Sequence, residues 1–345
     1  MSAPRQGALL VNLGTPDAPT TAALRRYLRE FLGDPRVLDL PAPLRWLLLN
    51  LVILPRRPRR SAEAYAKIWT EVGSPLLLHS RALLAGVRER LGDALPVALG
   101  MRYGSPSITE AVAELVDAGV RRVVVLPLFP QYAEAATGSA LARVREVVAA
   151  RPEDIELVEI ASFHDDPGLI AAWSAVAGER LRAFDPDHVL LSYHGLPERQ
   201  VTRADETNSC LSSETCCEQA SAAMRGCYRA QCFATTRALC EVLPIEPSRA
   251  STCFQSRLGR TPWIRPHTDA VLPQLAERGV RRLAVLCPAF VADNLETLEE
   301  IGMQARDQWE ALGGEAFELL PCPNADPVWV DAVSALLRQA GETKP

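Results

Sequence analysis

One histidine and two glutamates in the second half of the chain have the types and positions needed for acid–base or metal chemistry. His194 ends an apolar run and begins a Gly–Leu–Pro turn, whereas Glu296 and Glu300 follow the third apolar run of that half. On a helix, residues four apart share one face. The ordinary readings are a histidine that satisfies a backbone group and an acidic first helical turn. An imidazole opposite a carboxylate, both at strand ends, favours binding of a divalent metal or abstraction of a proton.

Five cysteines form a second cluster: Cys210, Cys216, Cys217, Cys227 and Cys232. Four thiolates can hold a tetrahedral zinc ion or a [2Fe–2S] cluster. The segment contains no C-x2-C pair, which favours an iron–sulfur cluster over a zinc ribbon. Inert or redox-active thiols are the third reading. The other four cysteines stand singly and are predicted to be small core residues: Cys240, Cys253, Cys287 and Cys322.

An internal repeat organises the elements that must position these groups. The segment GVRR at 119–122 recurs at 279–282, and each copy leads into an apolar run. The run that ends in LGTP at 13–16 likewise resembles the run that ends in HGLP at 194–197. Apolar runs alternate with helical patterns such as residues 108–118, which predicts parallel sheets covered by helices. We therefore expect an α/β protein with two similar Rossmann-like domains, each a four-stranded parallel sheet flanked by helices.

The repeat also predicts the domain boundaries. The first domain is placed at residues 1–165, with an apolar lip inserted at about 40–60, and the second at 166–345, with a cysteine-rich insertion at about 205–232. A C-terminal helix is expected to pack back on the first domain. In such sheets ligands lie beyond the carboxyl ends of the strands, so the chemistry is expected there, in a cleft between the domains.

Composition removes several functional classes. The 345 residues are enough for two domains, and the net charge of −5 provides no basic field for nucleic acid. No phosphate-binding G-x-G-x-x-G loop follows the first strand, which counts against a nucleotide. The N-terminus shows no secretory signal pattern, and nine cysteines in odd number fit a reducing compartment, so a cytoplasmic location is expected.

The most apolar window, residues 46–54, is too short to span a bilayer, which needs about 20 residues. It precedes Arg56, Arg57, Arg59 and Arg60, and such a patch can rest on an anionic membrane surface or line an apolar pocket. The alternative is an amphipathic core helix with a solvated basic end. If the patch touches lipid, the protein is peripheral to the inner membrane.

Several linked motifs resemble the ferrochelatase family in order and over nearly the whole chain. They are LLVNLGTPDAP, GSPLLLHSRALL, MRYGSP, SYHGLP, FQSRLGRTPW and CPAFVADNLETLEEIG. The resemblance implies the chelatase fold and a lyase that inserts Fe(II) into protoporphyrin IX, forming protoheme with release of two protons as the terminal step of heme biosynthesis. Coproporphyrin III as substrate, another metal and tetrapyrrole, and a non-catalytic iron–sulfur or heme sensor on a chelatase scaffold are the alternatives.

The resemblance also implies residue roles. His194 and Glu296 would be catalytic, and His194, Glu296 and Glu300 would handle the metal. Many family members have a histidine where this chain has Asn294, so a relay that needs a second base there is not expected. Six positions would surround or orient the porphyrin: Leu13, Arg102, Tyr103, Ser256, Trp263 and Phe290.

Some members of the family carry a [2Fe–2S] cluster, often with ligands near the C-terminus, where this chain has no cysteine after Cys322. The cluster is therefore expected in the internal segment. Its expected ligands are Cys210, Cys216, Cys217 and Cys227, with Cys232 as substitute. The expected partners are porphyrin and Fe(II), and the chain is expected to be a monomer or homodimer.

Overall fold

The computed structural model describes residues 5–205, 210–213, 216–217, 226–257, 259 and 261–342. The strands are β1 (Gln6–Gly14), β2 (Val97–Tyr103), β3 (Arg122–Pro127), β4 (Glu156–Glu159), β5 (His188–His194), β6 (Ala250–Gln255), β7 (Arg282–Leu286) and β8 (Ala316–Leu319). The α-helices of the first half are α1 (Thr21–Gly33), α2 (Ala42–Leu47), α3 (Leu54–Ile68), α4 (Pro75–Leu91), α5 (Ile108–Asp117) and α6 (Ser139–Ala149).

The α-helices that follow are α7 (Pro167–Phe184), α8 (Glu198–Ala204), α9 (Tyr228–Val242), α10 (Thr268–Glu277), α11 (Arg306–Ala311) and α12 (Pro327–Glu342). Three π-helices are π1 (Leu48–Ile53), π2 (Glu134–Gly138) and π3 (Glu296–Ala305). Short 3-10 turns occupy Gly92–Ala94 and Pro247–Arg249. Within these described ranges, no helix has the length and apolar character required to cross a bilayer.

The predicted pair of four-stranded parallel sheets is confirmed. One sheet has the order β2-β1-β3-β4 and the other β6-β5-β7-β8, and all pairings are parallel. The two sheets therefore have the same strand order, which corresponds to the internal repeat in the sequence. The edge strands β4 and β8 are shorter than the apolar runs in which they lie. Each pairs with a single neighbouring strand along four positions.

The chain folds into two compact units. Unit 1 contains the described residues within Met1–Phe129, Glu134–Ala161 and Val330–Pro345, and unit 2 those within Pro130–Ala133 and Ser162–Trp329. Most of α12 therefore belongs to unit 1, where Arg90 binds Asp331 at 2.7 Å and Arg122 donates to the carbonyl oxygen of Gly341 at 3.0 Å.

Each unit has its own core beneath the sheet. In unit 1, Leu9 and Val11 of β1 pack with apolar residues of α5 and α6. The predicted helix at 108–118 is confirmed as α5, which begins with a capping box between Ser107 and Glu110. In unit 2, Leu190 and Val285 pack with α10, π3 and Trp309. Cys253, Cys287 and Cys322 are buried, as predicted for core residues, whereas Cys240 is half-buried on α9.

Candidate active site

His194 is the last residue of β5, the strand that pairs with both β6 and β7. The other six residues of the strand are buried, and His194 at its end is half-buried. The chain then turns at Gly195, whose backbone N–H donates to the carbonyl oxygen of Gln255 at 2.8 Å. A Cβ at this glycine would lie 2.7 Å from that oxygen and 3.2 Å from the Trp263 ring. The turn therefore requires glycine, and Trp263 packs against it.

The His194 ring is oriented by its own backbone. Its Nδ1 lies 2.6 Å from the carbonyl oxygen of Gly195. A carbonyl oxygen only accepts, so Nδ1 carries a proton in this contact, and in the neutral imidazole the lone pair is then on Nε2. The Phe290 ring meets the imidazole edge-on, with centroids 6.3 Å apart. This arrangement leaves one imidazole nitrogen able to take a proton or bind a metal.

Glu296 begins π3, a ten-residue π-helix where the sequence predicts an ordinary helix. Asn294 and Thr297 start it reciprocally: the Asn294 N–H donates to the Thr297 hydroxyl, and the Thr297 N–H donates to the Asn294 side-chain oxygen, both at 3.0 Å. Asn294 therefore acts as a cap, consistent with a residue that cannot titrate. Thr297 is fully buried at the start of π3, whereas Leu295 is half-buried.

Glu296 interacts electrostatically with His194. Burial raises the pKa of the Glu296 carboxyl, nearby Glu300 raises it further, and His194 opposes the shift. A carboxyl group with a raised pKa can exchange protons nearer to neutral pH than an exposed one. His194 and Glu296 therefore lie close enough within unit 2 to interact electrostatically.

Glu300 and Ser256 bind one another. The Glu300 carboxylate accepts from the Ser256 backbone N–H at 2.7 Å and from its hydroxyl at 2.6 Å. Ser256 has a φ of +67°, a conformation that costs energy for a residue with a side chain. Ser256, which is expected to surround or orient the porphyrin, thus donates both its backbone N–H and its hydroxyl to Glu300 within unit 2.

Gln255, which sequence reasoning missed, joins three elements of the site. Its side-chain oxygen accepts from the Ser192 hydroxyl at 2.7 Å, and its amide donates to the Glu296 carbonyl oxygen at 3.1 Å. The side chain is buried, so its polar atoms need these partners. A glutamine inside a predicted buried strand was the available signal.

In unit 1, Leu13 and Arg102 are half-buried near the carboxyl ends of β1 and β2, whereas Tyr103 is fully buried. Sequence reasoning missed Asp34 and Ser139, which are hydrogen-bond partners of Arg102 and Tyr103. One Asp34 oxygen accepts from Arg102 at 2.6 Å, from the Tyr103 hydroxyl at 3.0 Å and from the Ser139 hydroxyl at 2.5 Å. The Arg102 guanidinium also lies 4.4 Å from the centre of the Tyr103 ring. Tyr103, which is expected to surround or orient the porphyrin, thus contacts both Arg102 and Asp34 within unit 1.

The five clustered cysteines are all among the described residues, although much of the predicted insertion, residues 206–209, 214–215 and 218–225, lies outside them. Cys227 interacts with both Cys210 and Cys217, and the sulfur atoms of Cys216 and Cys217 are 3.8 Å apart. Cys232 is completely buried on α9. Burial raises the pKa of the Cys210 thiol to about 11.

No group of three or more His, Cys, Asp or Glu side chains is arranged to hold a metal ion among the residues that the structure describes. This applies to the cysteine segment and to the predicted metal set His194, Glu296 and Glu300. Each Glu300 oxygen accepts one hydrogen bond from Ser256, and a carboxylate has further acceptor sites.

An exposed apolar patch lies on α2 and π1 of unit 1. Its members are Leu44, Trp46, Leu47, Leu51 and Val52, with exposed fractions from 44% to 62%. The alternative of a core helix is therefore wrong for these five side chains. The four arginines at 56–60 follow at the start of α3.

Comparisons with known proteins agree with this fold and identify the family. The ferrochelatase family profile matches residues 5–341. A ferrochelatase of Coxiella burnetii (strain Dugway 5J108-111) is 46% identical over 334 residues, covering 97% of this chain and 93% of that protein. A ferrochelatase of Legionella pneumophila (strain Lens) is 45% identical over 335 residues, covering 97% and 99%.

Among solved structures, SirB from Bacillus subtilis with Fe3+ superposes with a TM-score of 0.56. It is 12% identical and covers 98% of this chain and 96% of that one, which shows a common fold. The family match and the two relatives go further, since they cover nearly the whole chain and include the strand ends that carry His194 and Glu296. The chain belongs to the ferrochelatase family.

Proposed function

We propose that this chain inserts Fe(II) into protoporphyrin IX, with His194 as the proton acceptor and Glu296 as its partner. Metal insertion replaces two pyrrole N–H protons, so the enzyme must supply a base beside the macrocycle. The observation that carries the proposal is the His194 ring. Its Nδ1 is held by the Gly195 carbonyl oxygen, which leaves the Nε2 lone pair available, and a partly buried carboxyl group interacts with it.

In this reaction Nε2 of His194 takes a proton from a pyrrole N–H and becomes the second N–H of an imidazolium. The positive charge formed is stabilised by Glu296, whose carboxyl group is favoured in its charged form by the nearby His194. The second proton leaves by the same base in a later step or to water. The iron bonds to the porphyrin nitrogens that lose these protons, so charge and atoms balance.

Glu296 and Glu300 are proposed to meet the incoming iron. Carboxylate oxygen and imidazole nitrogen are ligands that Fe(II) accepts, and a substrate ion should be held loosely enough to be passed on. The lack of a preformed three-ligand cage among the described residues suits a transfer path. Trp263 and Phe290, in the same unit as His194, are proposed to contact the porphyrin through their ring faces.

The proposal is tested by mixing the purified protein anaerobically with Fe(II) and either protoporphyrin IX or coproporphyrin III, and following metalloporphyrin absorbance. Turnover of protoporphyrin at the higher kcat/KM supports the proposal. Preference for coproporphyrin would assign the other substrate. Tight binding without turnover would favour the sensor reading.

We also propose that Cys210, Cys216, Cys217 and Cys227 hold a [2Fe–2S] cluster. Four thiols match the donor number, and contacts already link all four in a chain through Cys217 and Cys227. Such a cluster would supply one-electron chemistry or a structural link. Because Cys210 and Cys217 have raised pKa values, ligation must release protons.

Protein purified anaerobically is expected to show iron–sulfur absorption and about two iron and two sulfide per chain. Cys217→Ser is expected to lose both signals, whereas Cys240→Ser, at a half-buried position on α9 outside the cluster, should keep them. Zinc without sulfide, or colourless protein free of metal, would refute the cluster.

Peripheral membrane contact through the apolar patch is the third proposal, and it fits a protein that works in the cytoplasm on an apolar substrate. Five exposed apolar side chains beside four arginines have the composition of a surface that binds anionic lipid.

Sedimentation with phosphatidylglycerol vesicles is expected to carry down the wild-type protein, and the bound fraction should fall with salt. Trp46→Ser is expected to weaken binding about tenfold or more, since burying such a side chain is worth at least about 1.5 kcal/mol. Val72→Ser is the matched control, because Val72 is 76% exposed but lies outside the patch. Equal binding by all three proteins would exclude this surface.

A further inference from the structure

The first residues of α9 connect the cysteine segment to the strand that carries His194. Cys227 precedes the helix and its sulfur accepts from the Ala230 N–H at 3.4 Å, in the position of an N-cap. Arg229 donates to the sulfur of Cys217 at 3.0 Å. The residue between them, Tyr228, points the other way: its hydroxyl donates to the backbone carbonyl oxygen of His194 at 2.8 Å.

This hydrogen bond completes the support of one peptide group. The His194 carbonyl and the Gly195 N–H belong to the same planar peptide unit. Tyr228 binds its oxygen, and the Gln255 carbonyl binds its N–H at 2.8 Å. Held at both ends, the plane cannot rotate, so the next carbonyl, that of Gly195, stays where it receives Nδ1 of the His194 ring.

The Tyr228 hydroxyl is suited to be a permanent donor. The side chain is 6% exposed and makes its contact away from solvent. A phenol hydroxyl donates one hydrogen bond, and here that bond goes to the His194 carbonyl oxygen. A buried hydrogen bond to a carbonyl oxygen is also costly to lose, since the oxygen is then left without that partner.

We propose that Tyr228 is a positioning residue for the ferrochelatase reaction, fixing the peptide that sets the orientation of the His194 imidazole. The inference rests on the proposed function of His194. Tyr228 touches no reacting atom; it acts through the 194–195 peptide and the Gly195 carbonyl oxygen. Residues that orient a functional histidine through one intermediate contact typically change activity by about 10-fold to 100-fold when altered.

The chain offers a specific probe of this peptide. Its five histidines are followed by Ser80, Asp165, Val189, Gly195 and Thr268. His194–Gly195 is therefore the single His–Gly pair, and protein labelled with carbonyl-13C histidine and 15N glycine gives one carbon–nitrogen correlation, from the peptide that Tyr228 contacts.

Tyr228→Phe is expected to shift this signal and to lower kcat by about 10-fold to 100-fold, with KM for porphyrin within about twofold of wild type. Tyr193→Phe is the matched control. Tyr193 is also buried, and its hydroxyl bonds Thr236 at 3.0 Å, so it too joins β5 to α9 without touching the peptide. Tyr193→Phe should lower the stability of the fold about as much as Tyr228→Phe does, but it should leave the carbon–nitrogen signal and kcat unchanged.

Each other outcome overturns the inference. An unmoved signal in folded Tyr228→Phe would show that the hydroxyl does not hold the peptide. A shifted signal with unchanged kcat would show that the contact positions nothing needed for reaction, and an equal loss of kcat in Tyr193→Phe would reduce the effect to general stability. If His194→Ala retains full rate while Tyr228→Phe shifts the signal, the proposed function has failed rather than the contact.

Discussion

His194→Ala is expected to lower kcat for Fe(II) insertion by a factor of about 10² to 10⁴, the range usual for loss of a positioned general base. The physical reason is that no other imidazole replaces it at the end of β5. Asn294 cannot titrate, and its side chain is already used to start π3. Glu296 has a carboxyl group with a raised pKa, but it would lose the partner that receives the proton.

The measurement is the initial rate of metalloporphyrin formation under anaerobic conditions, with porphyrin and Fe(II) varied in turn. KM for porphyrin should change little, because the apolar walls remain. His267→Ala is the control, since His267 lies half-buried in the same unit and its side chain does not cap the helix that it precedes. A His194→Ala protein with the wild-type rate would refute the role of His194 as the proton acceptor.

Much of the fold could be predicted because it is repeated in the sequence. The GVRR segments at 119–122 and 279–282 enter equivalent strands, and Gly119 and Gly279 both adopt positive φ values, +80° and +86°. Two copies of one pattern reinforce each other, so the order and direction of the strands follow. The position of His194 at a strand end followed by the same reasoning.

The features that could not be predicted from the sequence are contacts between residues far apart in the chain. Asp34 binds Ser139 across 105 positions, and Gln255 binds Ser192 across 63. No periodicity records such pairs, because they depend on where sheets and helices meet. The π-helical winding of Glu296–Ala305 was also hidden, since residues four apart share a face in either winding.

Asp34→Ala is expected to give the largest loss of stability, about 3–5 kcal/mol in the free energy of unfolding of unit 1. The Asp34 side chain is 2% exposed and that of Arg102 is 15% exposed. Removal of the carboxylate leaves a largely buried guanidinium and two hydroxyl groups, those of Tyr103 and Ser139, without their acceptor. Urea unfolding followed by circular dichroism measures the loss.

Asp17→Ala is the matched control, because it breaks an aspartate–arginine pair in the same unit in which both side chains are more than 60% exposed. Exposed pairs contribute about 0–1 kcal/mol, so this variant should unfold close to the wild-type midpoint. Arg102→Leu added to Asp34→Ala should recover part of the stability, since no buried charge is then left unpaired. Equal losses in the two single variants would mean that burial does not set the strength of the Asp34 pair.

The Asp34 contacts also predict a pH dependence. Burial by itself would raise the pKa of the Asp34 carboxyl, but hydrogen bonds from Ser139 and the Arg36 N–H, together with Arg102 and Tyr103, bring it below its ordinary value. A carboxyl group whose pKa is lowered in the folded state stabilises that state at pH values above its unfolded pKa of about 3.9. This stability is lost as the pH falls below that value towards the folded-state pKa. Wild-type unit 1 should therefore lose stability more steeply than Asp34→Ala below about pH 4. Parallel curves for the two proteins would show that Asp34 does not carry this acid sensitivity.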